Sequence, residues 1–143
     1  MLAKTLALAT TLALLGHAAT AETFEVQMLN RGEAGAMVFE PSYVAAQPGD
    51  TILFLATDPG HNAAAIEGML PEGVETFESE MGEDFSLVVE AEGLYGIKCT
   101  PHYAMGMVAL IQVGEAVNLE AVQAVPMRGK AEDRFAEALA QVQ

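Results

Sequence analysis

One short segment gathers most of the side chains that could do chemistry. It reads Cys99-Thr100-Pro101-His102-Tyr103-Ala104-Met105-Gly106-Met107, with a histidine three residues after the cysteine and a methionine five residues after that histidine. A second histidine, His61, lies 38 residues before Cys99, in Asp58-Pro59-Gly60-His61-Asn62. Two imidazoles, a thiolate and a thioether form a soft, mixed donor set. Such a set suits copper, which must be held as both Cu(I) and Cu(II). The imidazoles and the thiolate can form a trigonal plane, with a methionine sulfur at long axial distance. Met107 is preferred to Met105 for that sulfur because it opens the strand that follows. Met105 is expected on the surface rim.

Other uses of these residues exist. A lone cysteine is commonly a small buried hydrophobe, and methionine fills cores. A Cys–His pair can also be a nucleophile and its base, but no orienting group or oxyanion site accompanies this one. A copper carrier or storage protein is a further reading. It would be expected to expose clustered Met or Cys, whereas only Met105 and Met107 lie near Cys99 in the sequence.

The elements around these residues must place them at one end of a fold. Residues 94–99 and 107–113 read as strands flanking the tight 99–107 loop, with His61 on a loop at the same end. Further strands are expected over 23–29, where Phe24, Val26 and Met28 alternate with Glu25 and Gln27, and over 36–40, 51–56 and 85–90. Short strands between Gly- and Pro-containing turns predict an antiparallel sandwich or barrel. The stretch 62–84 lacks a period and reads as a long loop with a short helical turn. Its acids, Glu67, Glu72, Glu75, Glu78, Glu80, Glu83 and Asp84, read as a solvated face. Asn118 is expected to cap a short helix over 119–124 that Pro126 limits. A second helix is expected over 130–142, with Ala131, Phe135, Ala138, Leu139 and Val142 as one apolar stripe that packs on the sandwich.

Composition narrows the function further. The 143 residues carry 20 acids against 6 bases, a formal charge of −14. Nothing here could neutralise a run of phosphates or dock on an anionic membrane surface. One cysteine excludes an internal disulfide and is too few for zinc-finger or iron–sulfur cages. Lys4, an apolar run over 5–15 and the small residues ending Ala19-Thr20-Ala21 describe a secretory signal over 1–21. The exported chain would be 22–143, divided into a β-sandwich over 22–114 and a helical extension over 115–143. Its destination is expected to be a bacterial periplasm. After cleavage every remaining His and Cys, namely His61, Cys99 and His102, belongs to the one candidate set.

With these residues in view, the chain is similar to the cupredoxins, the small blue copper proteins, and within that family to the pseudoazurin branch. The matching motifs are Gly35-Ala36-Met37-Val38-Phe39-Glu40-Pro41, Pro48-Gly49-Asp50-Thr51, Gly60-His61-Asn62, the 99–107 loop and Asn118-Leu119-Glu120. The resemblance covers essentially the whole exported chain. It implies a mainly β, Greek-key sandwich with two C-terminal helices, and one copper ion held by His61, Cys99, His102 and Met107. It also implies a backbone N–H from Asn62 to the Cys99 sulfur, with Asn62 and Thr100 linking the two ligand loops. His102, ringed by Met37, Pro101, Ala104 and Met105, would be the electron portal. The implied role is single-electron shuttling without enzymatic turnover, between c-type cytochromes and a copper-containing or cytochrome-type nitrite reductase, as a monomer. One departure stands out. Relatives tend to carry lysines near Glu78 and Glu80, yet residues 22–113 have only Arg31 and Lys98 against 15 acids. Either the acids face away from the portal while Arg31 and Lys98 lie near it, or the partner presents a basic face.

Overall fold

A computed structural model describes residues 20–143. The expected secretory signal lies, but for its last two residues, outside them. Among the described residues, eight strands form two facing four-stranded sheets. Strands β1 (Thr23–Gly32), β2 (Gly35–Glu40), β4 (Asp50–Leu55) and β6 (Phe85–Val89) make one sheet, in the order β2-β1-β4-β6. Strands β3 (Tyr43–Ala46), β5 (Ala64–Ala65), β7 (Gly93–Lys98) and β8 (Val108–Val113) make the other, in the order β3-β8-β7-β5. Helices α1 (Leu119–Ala124) and α2 (Gly129–Leu139) follow.

The strands form where alternation or burial demands them. In β1, Val26 and Met28 are buried while Glu25 and Gln27 face water. These two residues join Ile52, Phe54, Tyr95, Ile97, Ala109 and Ile111 in the core between the sheets. β8 is buried along its whole length, its sequence being apolar but for Gln112. Its Ala109, Ile111 and Val113 face the sandwich core. Its Val108 and Leu110 face outward, into a second core with Leu94, Val122, Ala131, Phe135 and Ala138. The helical stripe therefore covers a sheet face. Gln112, on the same outward side, pairs its amide with the backbone of Gln143, at 3.1 Å in both directions.

Several expectations need correction. The sheets are not purely antiparallel, because β1 pairs β4 and β3 pairs β8 in parallel. The chain changes sheets after β2 and again after β3, so β4 returns beside β1 in the same sense. The short strands β3 and β5 were not expected, since four and two residues give too little alternation to read. No helical turn forms in 62–84, which holds β5 and an isolated bridge between Ala64 and Glu78. Asn118 occupies the N-cap position of α1 but makes no cap bond. Its amide instead mimics a strand backbone, accepting from Leu94 N at 2.7 Å and donating to Leu94 O at 2.9 Å. Gly93 permits this approach, because a Cβ there would meet Asn118 Oδ1 at 2.8 Å. Helix α2 ends at Leu139, and Leu139 and Val142 are half-buried against the second core.

Asp50 anchors the start of the fold. Its buried carboxylate accepts from Glu22 N at 2.8 Å and Gln47 N at 2.7 Å. These two N–H groups hold its carboxyl below the usual range. A depressed native value contributes stability above the unfolded value of about 4 that is lost as pH falls through the native value. Thermal unfolding between pH 5 and about pH 2 should therefore show a smaller acid-dependent fall for Asp50→Asn than for the parent protein. Parallel curves would remove Asp50 from the acid transition.

Candidate metal centre

The loop between β7 and β8 carries three of the four expected residues. Cys99 follows directly on Lys98, and its N–H donates to Met107 O at 3.0 Å, so strand pairing continues one step past β7. The chain then turns tightly. His102 N donates to Cys99 O at 3.2 Å, Tyr103–Met105 forms one 3-10 turn, and Met107 N returns to His102 O at 3.2 Å. Gly106 closes that turn in the left-handed region at φ 88°. A Cβ there would meet Lys130 Cγ at 2.9 Å and Arg134 Cδ at 3.0 Å, so this position needs glycine twice over. His61 arrives from the segment after β4, and its carbonyl accepts from Gly82 N at 2.8 Å.

Three donor atoms converge. His61 Nδ1 and His102 Nδ1 are 3.0 Å apart, and Cys99 Sγ lies 3.7 Å from the first and 3.5 Å from the second. A point equidistant from all three lies about 2.0 Å from each, which is the length of a metal–imidazole bond. Cys99 and His61 are fully buried, and His102 is half-buried. Met107 is fully buried in the same core cluster as Cys99, whereas Met105 is 45 % exposed.

The surroundings hold these atoms ready. Burial first, and His102 second, push the His61 imidazole below its ordinary value, while Asp58 opposes them. The neutral ring that results is the form that binds a metal. Burial pushes the Cys99 thiol up, and hydrogen bonds from the backbones of Asn62 and His102 pull it back. Asn62 also links the loops, accepting from Thr100 N at 2.8 Å and donating to Thr100 Oγ1 at 3.2 Å.

Three contributors escaped the sequence reading. Asn30 Oδ1 accepts from His61 Nε2 at 2.8 Å, which places the ring proton on Nε2 and leaves the Nδ1 lone pair facing Cys99. Arg134, from α2, donates to the carbonyls of Met37 at 2.8 Å, Gly106 at 3.0 Å and Met105 at 3.4 Å through Nη1. Its Nη2 donates to Ala36 O at 3.0 Å and Ala34 O at 3.2 Å. Glu78 Oε1 accepts from Thr100 Oγ1 at 2.9 Å. Only Arg134 carried a sequence signal, as a cation three residues from Ala131 and four from Ala138 on the apolar stripe of α2.

Replacing Asn30 with Ala should weaken metal binding by about 10–100-fold, the usual cost of freeing a ligating imidazole. Competition against a chelator of known affinity would measure it, and unchanged affinity would show that packing alone fixes His61.

A two-sheet sandwich with a buried His–Cys–His hollow at one end defines a copper-binding β-sandwich protein. The sequence profile described as "Copper binding proteins, plastocyanin/azurin family" matches residues 26–114. The chain belongs to that family and, within it, to the pseudoazurins. It is 56% identical to the pseudoazurin of Paracoccus pantotrophus over 85% of each chain. It is 44% identical to a putative pseudoazurin of Rhizobium leguminosarum bv. viciae, over 92% of this chain and 89% of that one. The crystal structure of pseudoazurin from Methylobacterium extorquens AM1 superposes with a TM-score of 0.82 at 43% identity, over 85% of this chain and 99% of that one.

Proposed function

We propose that this protein is a periplasmic electron carrier that cycles one copper ion between Cu(II) and Cu(I). His61 Nδ1, Cys99 Sγ and His102 Nδ1 would hold that ion, with the Met107 sulfur as a fourth donor. The observation that carries this reading is the hollow of three donor atoms. It is sized for one metal ion, and the bond from His61 Nε2 to Asn30 Oδ1 orients one of its rings. When bound, copper supplies the one-electron redox step. The protein keeps the ligands fixed across that step, excludes water from Cys99 and His61, and adds no substrate position. It therefore acts as a carrier and not as an enzyme.

His102 is the proposed portal. Its Nδ1 faces the hollow, while Pro101, Ala104 and Met105 around it are exposed and Met37 is half-exposed. A small apolar patch of this kind suits brief docking. The proposed partners are c-type cytochromes as donors and a copper-containing or cytochrome-type nitrite reductase as acceptor, in denitrification. The charge around the portal is mixed. Lys98 Nζ lies 5.7 Å over the Tyr103 ring, and Arg31 pairs with Ala36 beside Met37. Glu78, however, reaches Thr100, so the acids do not all face away. Export is the natural setting for the proposed 1–21 leader, and among the described residues Glu22 is the first bonded into the fold, through Asp50 and Thr51.

One experiment tests the central claim. The exported protein, freed of metal and given one equivalent of Cu(II), should develop an intense visible thiolate-to-copper band that ascorbate bleaches reversibly. A weak imidazole-like spectrum would remove Cys99 from the site. Loss of copper to a chelator upon reduction would instead mark a carrier of copper itself.

A further inference from the structure

We propose that Glu78 is a positioning residue of the metal centre, whose carboxylate fixes the link between the two ligand loops and lowers the centre's reduction potential. The proposal rests on the electron-transfer reading above and adds to it a residue outside the ligand set.

By sequence Glu78 is one of seven acids on an exposed stretch, and it is indeed exposed. Its contacts set it apart. Oε1 accepts from Thr100 Oγ1 at 2.9 Å and from Asn62 Nδ2 at 3.3 Å. Thr100 directly follows Cys99, and Asn62 directly follows His61. One carboxylate oxygen thus bridges the residues next to two ligands on two different loops.

The backbone aims this side chain. Glu78 forms a bridge with Ala64, flanked by Ala65 N to Phe77 O and Ser79 N to Ala63 O, both at 2.9 Å. Ser79 Oγ adds a bond from Ala63 N at 2.9 Å. Phe77 packs against the sandwich core, so its neighbour Glu78 must point the other way, toward Thr100.

The carboxylate also supports the orientation of Asn62 that Ser79 O and Thr100 N favour. An amide nitrogen has two protons to donate and its oxygen has none. With Nδ2 directed to Glu78 Oε1 and Ser79 O, Oδ1 is left to accept from Thr100 N. The flipped amide would set its oxygen against the carboxylate. That orientation holds in place the residue that directly follows His61 and ties it to the residue that directly follows Cys99.

Charge acts in the same place. Bound copper would supply a one-electron step, in which a one-electron donor such as a cytochrome haem is oxidised as Cu(II) is reduced to Cu(I), with no bond made and no proton moved. The oxidised centre carries the extra positive charge. A nearby carboxylate whose partners among the described residues are a hydroxyl and an amide, not a cation, favours that form. Of the six other acids in 62–84, Asp84 is engaged elsewhere, accepting from Ala56 N at 2.8 Å.

The test compares Glu78→Gln and Glu78→Ala with the parent, all copper-loaded after export. Redox titration against a one-electron mediator reads the potential, and the visible spectrum reads the thiolate bond. Glu78→Gln keeps an acceptor oxygen and loses the charge. It should favour Cu(I) by about two- to tenfold in the exchange equilibrium, the size expected for one charge across a partly solvated boundary, with the band in place. Glu78→Ala should give a similar shift and also move the thiolate band, because Thr100 and Asn62 lose their common acceptor. An exchange equilibrium unchanged in both variants overturns the proposal. A parent protein with no intense thiolate band fails the electron-transfer reading itself, before either variant is made.

Discussion

Replacing Cys99 with serine should abolish the intense visible band and cut copper affinity by more than the roughly 10–100-fold that loss of a supporting residue costs. The sulfur is the one soft anionic donor in the hollow, placed 3.5 Å and 3.7 Å from the two imidazole nitrogens. A serine oxygen is a shorter, harder donor, and its proton is far more tightly held than a thiol's. What remains is a pair of imidazoles 3.0 Å apart, which would bind Cu(II) as ordinary tetragonal copper. Burying a hydroxyl in this apolar setting also costs about 1–3 kcal/mol unless it finds a partner. Unfolding of the metal-free variant must therefore be followed beside the copper titration. A serine variant that folds and still turns intensely coloured would refute the role of Cys99.

Arg134→Ala should be the most damaging substitution away from the ligands. One guanidinium donates to five backbone carbonyls, at Ala34, Ala36, Met37, Met105 and Gly106. Among the described residues Met37 is the only non-glycine with a left-handed backbone, at φ 52°. Such a conformation costs of order 1–3 kcal/mol and persists only where its surroundings impose it. Charge-assisted bonds to neutral acceptors contribute about 1.5–3 kcal/mol singly and do not add. A loss near 3 kcal/mol, or about 10 °C in Tm for a domain of this size, is the expected result. Arg134→Lys should recover little, because one ammonium cannot fan out as a planar fork does. The copper-loaded variant should also show a broadened visible band, since Met105 and Gly106 belong to the ligand loop. A fall in Tm below about 3 °C would mean that water replaces the clasp readily.

The candidate donor set was legible because it is local chemistry. Cys99, His102 and Met107 sit within one loop, and His61 is the only other imidazole in 22–143. The stripe of α2 was legible because helical spacing repeats along the chain. What supports the site was not legible, because it acts across the fold. Asn30 reaches His61 over 31 residues, and Arg134 reaches Met37 over 97. Asn118 shows a different limit. Its residue type suits a helix cap and a backbone mimic equally, and the nearness of Leu94 decides between them. In 62–84 single side chains such as Met69 and Phe77 are drawn into separate cores, so no period could form.

The Arg134 clasp has a consequence for biogenesis. Its donor stands 27 residues after Met107, while its acceptors lie around the β1–β2 pair and in the ligand loop. A chain emerging N-terminus first has all its metal donors outside before the residue that locks their loop has followed. During that interval the thiol and imidazoles are present on an unsecured loop, open to whichever soft or borderline ion arrives. The compartment in which the last helix docks therefore decides which metal pool the finished site samples. A chain kept unfolded until it has crossed the membrane would meet copper there, and would avoid capturing zinc from the cytosol.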